Sequence, residues 1–199
     1  EMVEKHIDSK LKVLLVMPDM KEGDDQYYEI MYGMMTVSAY LKKKGHNVKC
    51  LNMNHYDQSK LIECLEKNKF DVVGTGGLFV HYIILKALLE TIRQHSPKSK
   101  IILGGGISST EEELILKRLK PDFLVVGEGE ETTNLLLKSI GNGMDYHNVT
   151  GICFMENNKM IKTSSTPLIE NLEEIPMPDY EGFEYGDYLD NHYVVQNKN

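Results

Sequence analysis

No apolar run in this 199-residue sequence approaches the ~20 residues of a membrane span. The opening stretch, EMVEKHIDSK, is charged and lacks the apolar core of a secretory signal. Together these lead us to expect a soluble, cytoplasmic protein. Cysteine is scarce: Cys50, Cys64 and Cys153 are odd in number, far apart, and show neither CxxC pairing nor histidines at metal-ligand spacing. They read as reduced, buried thiols of a cytosolic protein. Positive charge is short too, with 22 Lys and Arg against 30 Asp and Glu and a net charge of −8. Affinity for a phosphate backbone comes mostly from Lys and Arg, so nucleic acid is not expected as a partner.

What is present is an alternation of short apolar strands and helical patterns. Lys12 to Met17 (KVLLVM) is a near-continuous apolar run, as in a strand covered on both faces of a parallel sheet. A helix follows from Ile30 to Lys44, with Ile30, Met34, Val37, Ser38 and Leu41 on one face and lysines and Gly45 at its end. Met31, Met34 and Met35 read as core packing. Asn47 to Leu51 is the second strand, and Asp57 or Ser59 caps a helix to Asn68. Phe70 to Thr75 is the third strand. Phe79, Val80, Ile83, Ile84, Ala87, Leu88 and Ile92 then fall at helical spacing, ahead of Pro97. Lys100 to Leu103 is the fourth strand, with Thr110 and Glu113 as a capping box for a helix ending near Lys120. Phe123 to Val126 is the fifth strand and Thr132 to Ile140 the fifth helix.

Five βα units with short connections predict an α/β, doubly wound, flavodoxin-like five-stranded parallel sheet in the order 2-1-3-4-5. Residues 1–143 would form this domain. Residues 144–166 read as a β-hairpin turning at Asn157 and Asn158, and residues 167–199, with Pro167, Pro176 and Pro178, as an extended linker.

Glycines gather at three consecutive strand exits: Gly74, Gly76 and Gly77; Gly104, Gly105 and Gly106; Gly127 and Gly129. In a doubly wound sheet these exits share the ligand edge, so they predict one broad floor poor in side chains. A dinucleotide fingerprint is missed, since Gly127, Gly129 and Thr132 give GxGxxT and Glu128, Glu130 and Glu131 repel a pyrophosphate. No GK[ST] follows a glycine run, the acidic first loop (MPDMKEGDDQYYE) lacks the hydroxyls of a flavin phosphate site, and no aspartate ends the third strand. A large ligand held by backbone and hydroxyl hydrogen bonds remains. Glu128 reads as a pocket residue and Glu130 as structural, Glu111 to Glu113 as charge at a helix start. His46, before the second strand and away from the ligand edge, reads as a turn or surface residue; His55 and His81 lie just past strand exits, within reach of the site, and read as lone histidines rather than ligands.

The strings MYGMMTVSAYLKKKGHNV, IILGGGISS, FLVVGEGEETTNLL and LEEIPMPDYEGF, in that order, resemble the N-terminal cobalamin-binding domain of cobalamin-dependent radical SAM enzymes. The resemblance implies that Thr75, Gly76, Gly77 and Leu78 line the corrin and its nucleotide tail. By the same resemblance Pro18, Gly104, Gly105, Gly106, Ile107, Gly127, Glu128 and Gly129 complete a cobalamin pocket. It implies a downstream radical SAM domain in the same polypeptide, carrying a [4Fe–4S] cluster and S-adenosylmethionine. Two departures qualify it. The Asp-x-His-x-x-Gly motif is missing from the first loop, where Met20, Asp24 and Asp25 stand, so that loop supplies no histidine to cobalt. The Cys-x-x-x-Cys-x-x-Cys of a cluster is absent, so these residues alone are not expected to be catalytic. A second reading keeps the fold without the cofactor, as a docking or substrate-gating module.

Overall fold

A computed structural model describes residues 11–20, 30–169 and 171–186. The first ten residues, most of the acidic first loop including Asp24 and Asp25, and positions 187–199 of the expected linker lie outside the described residues. The sheet has seven strands in the order β2-β1-β3-β4-β5-β6-β7. The first five are parallel: β1 (Lys12–Met17), β2 (Asn47–Asn52), β3 (Val72–Gly76), β4 (Lys100–Gly104) and β5 (Phe123–Val125). The expected order holds for these five. The hairpin, β6 (Ile152–Glu156) and β7 (Lys159–Lys162), extends the same sheet antiparallel, which corrects the five-strand count. Leu124 pairs with Cys153 and Val125 with Ile152, covering the open edge of the three-residue strand β5. Asn157 and Asn158 turn the hairpin at φ of 49° and 60°, a backbone that Asn tolerates.

Alternation along the strands sorts the core into two layers. Leu14, Val16, Val73, Ile101 and Leu103 face α2 (Gln58–Lys67), α3 (Tyr82–His95) and α4 (Glu112–Leu119). Val13, Leu15, Val72, Ile102 and Val125 face α1 (Tyr32–Lys43) and α5 (Gly129–Asn142). Asp57 caps α2, its carboxylate accepting the Ser59 and Lys60 N–H groups. The box expected at Thr110 and Glu113 does not form. Glu111 is the residue before α4 and sits at φ 52°, outside the extended backbone of an N-cap, while the Thr110 hydroxyl donates to the Gly106 carbonyl at 3.3 Å. The helix expected from Phe79 also starts late. Residues 79–81 form a 3-10 turn, and the buried stripe of α3 is Leu85, Leu88, Leu89 and Ile92. Phe79, Val80, Ile83 and Ile84 are left exposed.

Within the segment expected as an extended linker, residues 179–185 pack on the domain. Phe183 and Tyr185 are completely buried, and the Tyr185 hydroxyl donates to Met17 Sδ at 3.2 Å. Asp179, in the Pro-Met-Pro-Asp-Tyr string, anchors the return: its carboxylate accepts from Ser38 and Lys42 of α1 at 2.5 Å each and from the Gly182 N–H at 3.1 Å. The Asp179 N–H donates to the Met35 carbonyl at 3.1 Å. The neighbouring Cys50 thiol is pushed up to about 12, chiefly by burial, so it stays protonated.

Burial opposes ionisation of Asp179, but the Lys42 ammonium and the Ser38 hydroxyl win and hold its carboxyl below the usual aspartate value. A folded-state pKa below the unfolded one contributes stability above about pH 4 and loses it as pH falls through the folded value. Lys42 is 39% exposed, which screens part of the attraction. Asp179→Asn is therefore expected to cost about 1–3 kcal/mol at pH 7, the range for leaving buried hydrogen-bonding partners unsatisfied. In urea unfolding, its deficit against the wild type should shrink as the pH is lowered below about 4; a deficit that does not change with pH contradicts the assignment.

Candidate functional site

The glycine-rich exits of β3, β4 and β5 meet at one edge and open into a cavity of about 400 Å³. That volume falls within the usual range for small-molecule sites. Its deep wall is the sheet face formed by Val13, Leu15, Val72, Ile102 and Val125, and Gly33, Met34 and Val37 of α1 form the opposite wall. The rim carries Thr75, Gly76, Gly77 and Leu78 from the β3 exit, Gly104, Gly105 and Gly106 from the β4 exit, and Gly127, Glu128 and Gly129 from the β5 exit. The shape follows from the pleat: strand side chains that point between sheet and α1 are aliphatic, and they stop where the glycines begin.

The glycines serve two purposes. A Cβ on Gly76 would lie 2.8 Å from the Gly104 carbonyl oxygen, and one on Gly105 would lie 2.7 Å from the Gly77 carbonyl oxygen. These two let adjacent exits pack backbone on backbone. Gly105 also holds φ 83° and ψ −171°, a region that belongs to glycine. Gly33, Gly104 and Gly127 differ, since a Cβ on any of them would meet nothing within 4 Å. All three line the cavity, so its surface there is bare backbone facing open space.

Two predicted site residues lie elsewhere. Ile107 is fully buried in the opposite layer with α2, α3 and α4, and only its N–H reaches the site edge, donating to the Gly77 carbonyl at 3.0 Å. The phase of the turn at 106–109 carries its side chain through to the far face of the sheet. Pro18 is buried outside the cavity lining, where its carbonyl accepts from Asn54 Nδ2 at 3.3 Å. Asn54 also accepts the Met20 N–H at 2.7 Å, which fixes the chain leaving β1 and places Met20 in the lining. Met31 and Met34, half-buried against the core layer that holds Met35, line the cavity as well, and of the three only Met35 is fully buried.

Sequence reasoning missed the deep aliphatic wall and Gly33. Their signal was present in the alternation of Val13 and Leu15 and in a glycine within a helix, but neither shows that sheet and helix stand apart. Among polar groups of the lining, Thr75 donates to the Val16 carbonyl at 2.8 Å, Glu130 accepts from Thr36 at 2.7 Å, and Glu128 accepts the Ile169 N–H at 2.9 Å. Glu130 thus ties α5 to α1 across the cavity, and Glu128 ties its rim to the C-terminal segment. No Lys or Arg lines the cavity among the described residues. His46, by contrast, bonds Asn134 between α1 and α5, away from the lining. No helix among the described residues is long and apolar enough to cross a membrane.

An apolar slot, free of Lys and Arg among the described residues and opening onto bare backbone, suits a ligand with a slender end and a broad, largely uncharged face. Dinucleotides and nucleoside triphosphates, which need cations or free amides at a helix start, suit it poorly. Residues 26–137 match the family model described as the B12 binding domain. The chain is 27% identical over 146 residues to the anaerobic magnesium-protoporphyrin IX monomethyl ester cyclase of Synechocystis, covering 71% of this chain and 29% of that one. It is 26% identical over 181 residues to an uncharacterized methyltransferase of Pyrococcus horikoshii, covering 86% and 38%. Among solved structures it shares its fold with the radical S-adenosylmethionine methyltransferase TsrM from Kitasatospora setae, solved with cobalamin and a [4Fe–4S] cluster bound. The TM-score is 0.68 at 18% identity, over 85% of this chain and 31% of that one. The chain therefore spans under two fifths of the length of each of these proteins.

Proposed function

We propose, from the premise that this chain belongs to the B12 binding domain family, that its cavity binds a corrinoid. The slot between the sheet and α1 takes the slender nucleotide tail, and the macrocycle lies across the backbone at Gly76, Gly104 and Gly127. The observation that carries this reading is the bare, open backbone at Gly104 and Gly127 continuous with the aliphatic slot. A cavity of about 400 Å³ is far too small for a whole cobalamin, so most of the ligand must lie outside it, over the rim. Leu78, 47% exposed, and Phe79, 48% exposed, offer apolar surface beside that rim.

When bound, the corrinoid supplies a cobalt centre able to carry a methyl group or to exchange single electrons. The residues of this chain contribute binding and orientation. Val13, Leu15, Val72 and Ile102 exclude water from the tail, and the exposed backbone of Gly105, Gly106 and Gly127 matches the neutral amide fringe of a corrin. In the full-length protein this domain serves a downstream radical SAM domain that holds the [4Fe–4S] cluster and S-adenosylmethionine. The string of residues 172–183 that resembles the approach to such a domain supports that assignment.

The test is direct. Protein mixed with excess hydroxocobalamin and desalted is expected to retain about one corrin per chain, read by its visible absorbance. Passage of all corrin into the small-molecule fraction overturns the proposal and favours the cofactor-free docking module.

A further inference from the structure

The cavity contains a group whose chemistry the proposed function leaves unused. His81 is the only lining side chain, among the described residues, that carries nitrogen. It occupies the N-cap position of α3, and its ring lies against Gly77, where a Cβ would come within 3.2 Å of Nδ1. The Leu78 N–H donates to Nδ1 at 3.1 Å. That bond occupies the Nδ1 lone pair. A neutral imidazole carries one proton, so the proton is on Nε2. Nε2 then has a hydrogen to donate and no lone pair for a metal. The other polar side chains named above, Thr75, Glu128 and Glu130, are engaged with protein partners.

We infer that His81 is a fixed hydrogen-bond donor to an oxygen acceptor on the ligand and is not a cobalt ligand. The inference rests on the reading of this cavity as a corrinoid site. Two acceptors on a cobalamin fit a single N–H donor, an amide carbonyl of the macrocycle fringe or the phosphodiester of the nucleotide tail. Both are oxygen acceptors, and the Nε2–H tautomer serves either.

The first measurement needs no cofactor: the nitrogen chemical shifts of His81 in [15N]histidine-labelled protein are expected to show the Nε2–H tautomer, and the Nδ1–H tautomer overturns the inference. Binding is then compared for wild type and His81→Phe, which keeps a ring in place but removes the donor. Affinity for hydroxocobalamin is expected to fall about tenfold, the loss of one hydrogen bond. With cobinamide, which lacks the nucleotide tail, an equal fall assigns the acceptor to the macrocycle and no fall assigns it to the phosphodiester. Unchanged hydroxocobalamin affinity in a folded His81→Phe variant overturns the inference while leaving the site assignment intact. Labelling-dependent nitrogen splitting in the electron paramagnetic resonance spectrum of bound cob(II)alamin that is lost in the variant also overturns it, since it places His81 on cobalt. Absence of corrin binding by the wild type overturns the site assignment and this inference with it.

Discussion

Gly105→Ala is expected to destabilise the domain by about 3 kcal/mol or more, the largest loss from any single methyl group at this edge. Two penalties combine. Backbone at φ 83° and ψ −171° costs about 1–3 kcal/mol for a residue with a Cβ. The added methyl also lies 2.7 Å from the Gly77 carbonyl oxygen, a backbone atom held in place by the Ile107 N–H at 3.0 Å, and overpacking of this kind costs about 1–3 kcal/mol. Neither atom can turn away. Chemical denaturation checks the value, and a loss under about 1 kcal/mol contradicts the tight pairing of the β3 and β4 exits.

Gly104→Val, one residue earlier, is expected to do the opposite. Gly104 ends β4 without a positive φ, a position where a β-branched residue is at ease, and its Cβ would meet no atom within 4 Å. The domain should therefore keep its stability within about 0.5 kcal/mol, as for a substitution that disturbs no packed atom. The isopropyl group would stand in the cavity. Corrin affinity is expected to fall by about tenfold to a hundredfold, the binding equivalent of overpacking a filled site. Titration with hydroxocobalamin alongside a melting curve checks both halves. A variant that binds like the wild type contradicts the placement of the ligand over this exit.

The contrast between these neighbours shows what the sequence could convey. A triple glycine after an apolar strand signals close approach, but to what depends on the pleat and on the next strand. At Gly105 the approaching atom belongs to Gly77, and only at Gly104 is the space open. The parallel order of the first five strands was legible because each strand is a short apolar run followed by a helical period. The Asp57 cap and the Asn157–Asn158 turn were legible because side-chain chemistry acts within a few residues. Ile107 was not, since its face depends on how many residues the turn after β4 uses. Nor was the return of the C-terminal segment, where Asp179 meets Ser38 and Lys42 across about 140 positions of chain. Proline-rich composition there describes the backbone, and says nothing of the serine and lysine that receive it. His81 was legible as a residue near the site, but its role depends on the tautomer that the Leu78 N–H selects.

On the reading proposed above, the ligand lies over the exits of β3, β4 and β5 on the α1 side of the sheet. Bound cob(II)alamin is paramagnetic and broadens nearby amide signals, so a nitrogen–proton correlation spectrum of the labelled complex locates it. The signals of Gly76, Gly104 and Gly127 are expected to be lost while those of β7 and of the far end of α3, near His95, persist. Full-strength signals at the three glycines in a complex shown to hold one corrin per chain would contradict it.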